Sequence, residues 1–216
     1  MPWRRPTLSG KAMWLNPRKA YRKSLWKAKL LRAALRRRKR RRELIALLPK
    51  NGVGVEVGVW KGDFSARLLR GAKPRKLYLI DPWQHSSHSG AWYAEKDEEE
   101  MADIREEVVA RFARQIQRER VVVIANQSQD AVRQLTSAHR SDLFDWAYLD
   151  GDHTYEAVLA YLRAFWTLIR DGGCLAGDDY GIKGWWNDGV TQAVDQFVAS
   201  VDRSPVILGS QFLIRK

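Results

Sequence analysis

The sequence predicts an α/β fold: a doubly wound, mostly parallel sheet, closed by an antiparallel C-terminal hairpin and preceded by a basic helical arm. Three observations predict it. From residue 53 onward, short apolar β-branched runs alternate with segments of helical period, as in a parallel sheet covered on both faces. The chain ends in Pro205–Leu208, Gly209-Ser210 and Gln211–Ile214, two strand-like runs around a two-residue Gly-led turn. Basic residues crowd the start: residues 1–42 hold 17 Lys or Arg and no acid, and the remainder holds 21 basic and 25 acidic residues. The formal charge of +13 therefore belongs to the arm. The rest is mildly acidic, which excludes a basic nucleic-acid surface spread over the whole chain.

The elements follow in order. Tyr21, Leu25, Ala28, Leu31 and Leu35 recur at helical spacing, so a basic amphipathic helix is expected from about Arg18 to Leu48. Pro49-Lys50-Asn51-Gly52 ends it, placing the arm at 1–50 and the folded domain at 51–216. Strands are expected at Val53–Val57, Lys76–Ile80, Val121–Ala125, Trp146–Leu149 and Cys174–Ala176. Helices are expected at Asp63–Arg70, Glu98–Gln117, Asp130–Leu135, Tyr155–Ile169 and Gly189–Ser200. No internal repeat interrupts this order.

At 216 residues the chain can bury a full core without staples. One cysteine, Cys174, excludes an intramolecular disulfide framework and reads as a small buried hydrophobe. No apolar run reaches the roughly 18 residues of a membrane span, and the N-terminus lacks the apolar centre of a secretory signal. A soluble cytoplasmic protein is expected, with the arm available to a membrane surface. For the arm itself three readings stand: aromatics docked on the domain, an anionic membrane surface or polymer, or nucleic acid stacked on Trp3, Trp14 and Trp26.

The polar residues gather where strands end, the place at which doubly wound sheets bind ligands. Glu56, Gly58 and Gly62 form Glu-x-Gly-x-x-x-Gly across a strand, a turn holding Trp60, and a helix. That spacing differs from the dinucleotide fingerprint and suits a nucleoside without a pyrophosphate, although plain steric packing would also require the glycines. Asp81 ends the second strand, where a carboxylate can accept both hydroxyls of a ribose or can cap the turn before Pro82. Ser128, with Asn126 and Gln127, follows the third strand where an adenine edge would lie. The fourth and fifth strands end in Asp150 and in Asp178-Asp179, three carboxylates on one rim. Crowded carboxylates repel, and a divalent cation such as Mg²⁺ relieves them, with helix capping as the alternative. His153, three residues past Asp150, is placed to take a proton near neutral pH. Zinc-type His/Cys spacing, Gly-x-Ser-x-Gly and Gly-Lys-Ser/Thr do not occur.

With these residues assembled, the chain from about Gly52 to Lys216 resembles the class I S-adenosylmethionine-dependent methyltransferases, a Rossmann-like family. Among them it is similar to the macrocin-type sugar O-methyltransferases. The matching segments are Val55–Ser65, Ile80–Trp83, Tyr148–Glu156, Gly172–Tyr180 and Gly189–Asp195. The resemblance implies that Glu56, Gly58 and Asp81 hold S-adenosylmethionine, that Asp150, Asp178 and Asp179 bind Mg²⁺, and that His153 is the base. It implies methyl transfer to a hydroxyl of a sugar or glycan. Residues 84–96 and Trp185-Trp186-Asn187-Asp188 would then wall the acceptor. A nucleic-acid methyltransferase tethered by the arm is the second expectation, and a cofactor-binding scaffold the third. Homo-oligomerisation stays open.

Overall fold

The computed structural model describes the backbone of residues 17–85, 92–138 and 143–216, with side chains described from Trp26 onward apart from 86–93, 128–129 and 136–142. Two compact units divide the chain, Met1–Arg38 and Lys39–Lys216. The second therefore begins inside helix α1 (Pro17–Leu47), short of the boundary expected at residue 51.

Leu44, Ile45 and Leu48 are 0, 5 and 2% exposed, so the end of α1 belongs to the domain core. In chain order it is followed by β1 (Val53–Val57), α2 (Asp63–Gly71), β2 (Lys76–Asp81), a short 3₁₀ turn (Trp92–Glu95), α3 (Glu98–Arg111) and α4 (Ala113–Gln117). They are followed by β3 (Val121–Ala125), α5 (Ser128–Ala138), β4 (Phe144–Leu149) and α6 (Tyr155–Leu168). The chain closes with β5 (Ile169–Gly177), α7 (Gly189–Val201), β6 (Val206–Leu208) and β7 (Gln211–Arg215). The sheet order is β3-β2-β1-β4-β5-β7-β6, parallel from β3 through β5 and antiparallel at β7 and β6. This is the expected doubly wound sheet with its C-terminal hairpin.

Strand alternation sorts the core onto two faces. Val53, Val55 and Val57 of β1, with Tyr78, Ile80, Ala147 and Leu149, pack against α5, α6 and α7. Leu77, Leu79, Trp146 and Tyr148 pack on the other face against the end of α1, α2 and α3. Glu56 alternates with the β1 valines and so lies on the α1–α2 side. The single helix expected at Glu98–Gln117 is two, because Phe112 departs from helical geometry (φ −106°, ψ 14°) while its ring is buried beside Gly62. Asp97 and Glu100 form a reciprocal capping box that starts α3. α6 stops at Leu168, and Ile169 turns extended into a β5 longer than its apolar centre suggested.

Candidate active site

The topological switch lies between β1 and β4, each hydrogen-bonded to the other and leading away to opposite sides of the sheet. Beyond β1 the chain turns at Gly58, whose φ is +86°. A Cβ there would stand 2.0 Å from the Asp150 carbonyl oxygen, so only glycine lets this turn lie against the end of β4. Gly62 meets Phe112 in the same way, with 2.7 Å from an added Cβ to the ring.

Asp81 is placed by β2 directly under this turn. Its Oδ2 accepts the backbone N–H groups of Val59 and Trp60, both at 2.9 Å, and its Oδ1 accepts that of Trp83 at 2.8 Å. The side chain is 1% exposed. Of the two roles expected for it, ribose acceptor or cap of the turn, these contacts are those of the cap. A carboxylate that accepts three N–H groups forms charge-assisted bonds, which satisfy its charge without a ligand. Trp60 contributes through its backbone: its carbonyl accepts Trp83 Nε1 at 3.0 Å, and its own φ is 53°.

Glu56 is 1% exposed and its Oε2 has no hydrogen-bond partner. Burial pushes its carboxyl up to about 8, with Ser65 pulling the other way. A buried carboxyl oxygen without a partner is costly and marks a place for a donor from a ligand. This orphan beside the glycine turn fits a cofactor bearing an ammonium or hydroxyl group.

The three aspartates expected to share a cation divide. Asp150 Oδ1, His153 Nε2 and Asp179 Oδ2 converge, with the imidazole nitrogen 3.6 Å from Asp150 and 3.1 Å from Asp179. Among the described residues these three have ligand atoms within 4.8 Å of one another, a set that fits a divalent cation. Asp178 does not join them. It is turned inward, where its Oδ1 accepts the Asp179 N–H at 2.8 Å and the Ser210 hydroxyl at 2.7 Å. Its Oδ2 takes Arg41, from Nη2 at 2.6 Å and Nε at 3.1 Å, and Arg41 Nη2 also donates to Asp150 Oδ2 at 2.8 Å. With a fixed guanidinium already neutralising it, Asp178 needs no metal. The donor set is thus mixed nitrogen and oxygen in place of the all-oxygen set expected, which broadens the cation from Mg²⁺ to imidazole-tolerant divalent metals.

Charges in the cluster are interdependent. Burial holds the Asp150 carboxyl above its usual range, against the pull of His153 and Arg41. Burial works against charge on His153, but the contacts with Asp150 and Asp179 outweigh it and raise the imidazole to about 9. Beside these two carboxylates the imidazole holds a proton more firmly than a free histidine does. Its ring stacks on Trp186, centroids 4.6 Å apart, and Trp185 meets Trp186 edge-on at 5.7 Å.

Arg41 is the site residue that sequence reasoning missed. It was counted only among the basic residues of the arm, yet Arg41, Leu44, Ile45 and Leu48 share the i, i+3, i+4, i+7 face of α1. That periodicity was the available signal. Other expectations fall elsewhere. Gln127 Nε2 donates to Gln84 at 3.0 Å, and the Ser128 side chain lies outside the described residues. Within the expected lid, His85 Nδ1 contacts the Lys96 carbonyl at 2.8 Å, and residues 86–91 lie outside the described residues.

Comparison with known proteins agrees with this architecture. An O-methyltransferase from Bacillus cereus, solved with SAH, is 18% identical with a TM-score of 0.54, over 82% of this chain and 79% of that one. The O-methyltransferase NovP is 20% identical with a TM-score of 0.55, over 84% and 79%. An rRNA methylase from Streptococcus thermophilus is 15% identical with a TM-score of 0.52, over 81% and 93%. At such identities the likeness is one of fold. A search of curated protein sequences finds no match. A family model described as a methyltransferase domain matches residues 55–180, from the β1 turn through the paired aspartates. Over that span, with the glycine turn, the switch point and the carboxylate rim in one order, the chain belongs to the methyltransferase-domain family.

Proposed function

We propose that this protein transfers a methyl group from S-adenosylmethionine to a hydroxyl of a sugar or glycan, in the manner of the macrocin-type O-methyltransferases, with help from a divalent cation. The observation that carries the reading is the convergence of Asp150 Oδ1, His153 Nε2 and Asp179 Oδ2 just beyond β4 and β5, next to the Gly58 turn. The structural neighbours whose names include O-methyltransferase support the reaction type, and the Trp185–Trp186 pair beside His153 supports a carbohydrate face.

When bound, S-adenosylmethionine supplies a methyl on a positively charged sulfur, and a divalent cation supplies Lewis-acid polarisation of the acceptor hydroxyl. With the cofactor bound, its methyl would pass to the acceptor oxygen as the carbon–sulfur bond breaks, and the hydroxyl proton would leave to a base. Gly58 and Gly62 would let the backbone approach the cofactor, Asp81 and Trp60 hold that turn in shape, and Glu56 Oε2 would accept from a donor group of the bound cofactor. Asp150 and Asp179 would hold the cation. His153 serves as the proton acceptor, or as a third ligand if it gives its Nε2 lone pair to the metal. Alignment of the two reactants within this rim provides much of the acceleration.

The test is methyl transfer by the full-length protein from labelled S-adenosylmethionine to a panel of sugars and glycans. EDTA should abolish transfer, and Mg²⁺ or Mn²⁺ should restore it. Full activity in EDTA rejects the metal-assisted reaction, and labelling of RNA in place of every carbohydrate rejects the acceptor. His153→Ala separates the two roles of that residue: a base variant binds Mn²⁺ normally but turns over slowly, and a ligand variant loses Mn²⁺.

The basic arm has its own reading. Trp26, Leu31 and Leu35 are exposed on α1 in a stretch, residues 1–42, that holds 17 basic residues and no acid, which supports contact with an anionic surface. Co-sedimentation with phosphatidylglycerol vesicles but not with phosphatidylcholine vesicles is expected, and equal pelleting with both rejects it.

A further inference from the structure

Arg41 bridges two acidic side chains that stand more than a hundred positions away in sequence. Its guanidinium reaches Asp178 Oδ2 with two nitrogens and Asp150 Oδ2 with one, at 2.6 to 3.1 Å. Asp178 is fully buried, and the Arg41 side chain is 17% exposed. The guanidinium carbon lies 4.8 Å from the Phe64 ring centroid, so an aromatic face backs the cation. Arg40, beside it, pairs with Glu43 on the surface, and Arg42 is exposed. Position 41 alone is carried inward, because Leu44, Ile45 and Leu48 seat the same helical face in the core.

Three consequences follow from the fork geometry. A planar guanidinium can hold two carboxylates at fixed mutual orientation, which a hydrated ammonium cannot. Fixing Asp150 Oδ2 on Arg41 leaves Oδ1 as the oxygen directed at His153 and Asp179. Holding Asp178 Oδ2 in the same grip removes that carboxylate from any metal shared with Asp150.

We infer that Arg41 is a positioning residue that acts as the resident cation of the Asp150–Asp178 pair, so that the end of α1 is part of the methyl-transfer site and a metal ion is confined to the Asp150–Asp179 side. This rests on the proposed function for its catalytic meaning. The structural claim stands on contacts within residues 39–216, and its readout is metal binding and folding stability.

The experiment uses full-length Arg41→Gln, Arg41→Lys, Asp178→Asn and the Arg41→Gln/Asp178→Asn double variant. Mn²⁺ affinity is measured by electron paramagnetic resonance, and stability by thermal melting. Removing the resident cation leaves the two carboxylates uncompensated, so Arg41→Gln should melt lower and bind Mn²⁺ about tenfold more tightly, the effect of one nearby positive charge withdrawn. The double variant should regain both the melting temperature and the affinity of the wild type. Asp178→Asn alone should still bind Mn²⁺, and no more tightly than the wild type, since Asp178 is not among the ligands and Arg41 is left paired with Asp150 only. If Arg41→Gln does not fold, Arg41→Lys decides, because a point charge leaves one carboxylate released and should also tighten Mn²⁺. The inference is overturned if folded Arg41→Gln or Arg41→Lys binds Mn²⁺ no more tightly than the wild type, or if Asp178→Asn abolishes binding. Failure to methylate any carbohydrate would reject the proposed function and leave these readouts unchanged.

Discussion

The carboxylate of Asp81 accepts the backbone N–H of Trp60 at 2.9 Å, tying the end of β2 to the turn that follows β1. The same oxygen accepts Val59, and the other accepts Trp83. An adjacent pair of strands is thereby stapled through one side chain at the point where a nucleoside would sit. In Asp81→Asn the amide nitrogen must face either the Val59/Trp60 N–H groups or that of Trp83, donor against donor. The loss should be about 1–3 kcal/mol of stability, the cost of a buried donor left unpaired. Binding of S-adenosylhomocysteine, followed by calorimetry, should weaken along with melting temperature. A variant that melts like the wild type but binds the cofactor poorly would instead assign Asp81 to the ligand.

Cys174 lies in the middle of β5, fully buried beside Trp146 of β4. Burial pushes its thiol up to about 12, so almost no thiolate exists near neutral pH. Labelling by 5,5′-dithiobis(2-nitrobenzoic acid) should therefore require the sheet to open, and its rate should track global unfolding as denaturant is added. Rapid labelling of the native protein would show that β5 opens locally.

Gly58 and Gly181 both have positive φ, +86° and +74°, but differ in what surrounds them. An added Cβ at Gly181 meets nothing within 4 Å, so Gly181→Ala should cost only the left-handed strain of roughly 1–2 kcal/mol. At Gly58 it meets the Asp150 carbonyl oxygen at 2.0 Å and carbon at 2.4 Å, which are backbone atoms at the end of β4. Gly58→Ala must displace the strand end that carries Asp150. It should melt well below Gly181→Ala and lose cofactor binding, and equal melting of the two variants would place the two strand ends further apart.

Most of the sheet was legible because each buried strand is a run of β-branched residues between turn signals, as Val53–Val57 and Val121–Ala125 show. Helix ends were less so: Phe112 breaks the α3 pattern through its packing on Gly62, a tertiary cause without a local signature. The rim of carboxylates was legible as residue types at strand ends. Their division was not, since Asp178 and Asp179 are neighbours in sequence and only the left-handed backbone at Asp179 (φ 62°) sends them to different partners. Arg41 was hidden for a different reason. Composition treats the basic residues Arg36–Arg42 as one block, and the contact that singles out Arg41 is made with Asp150 and Asp178, just past β4 and β5.

Glu56 provides a pH test of the buried α1–α2 face. Its carboxyl moves from 4.5, the ordinary value, to about 8 in the folded protein, chiefly through burial. Below pH 4.5 both states hold the proton and stability does not depend on it. Between these values the folded state keeps a proton that the unfolded state releases, so stability falls as pH rises, by about 1.4 kcal/mol per unit at most. Above about 8 both states are ionised and the loss levels off. Glu56→Gln keeps the shape and removes the titration, so its urea midpoint should stay flat over the window in which the wild type declines. Parallel profiles for the two proteins from pH 5 to 8 would mean that Glu56 is already ionised in the fold, with Arg41 outweighing its burial.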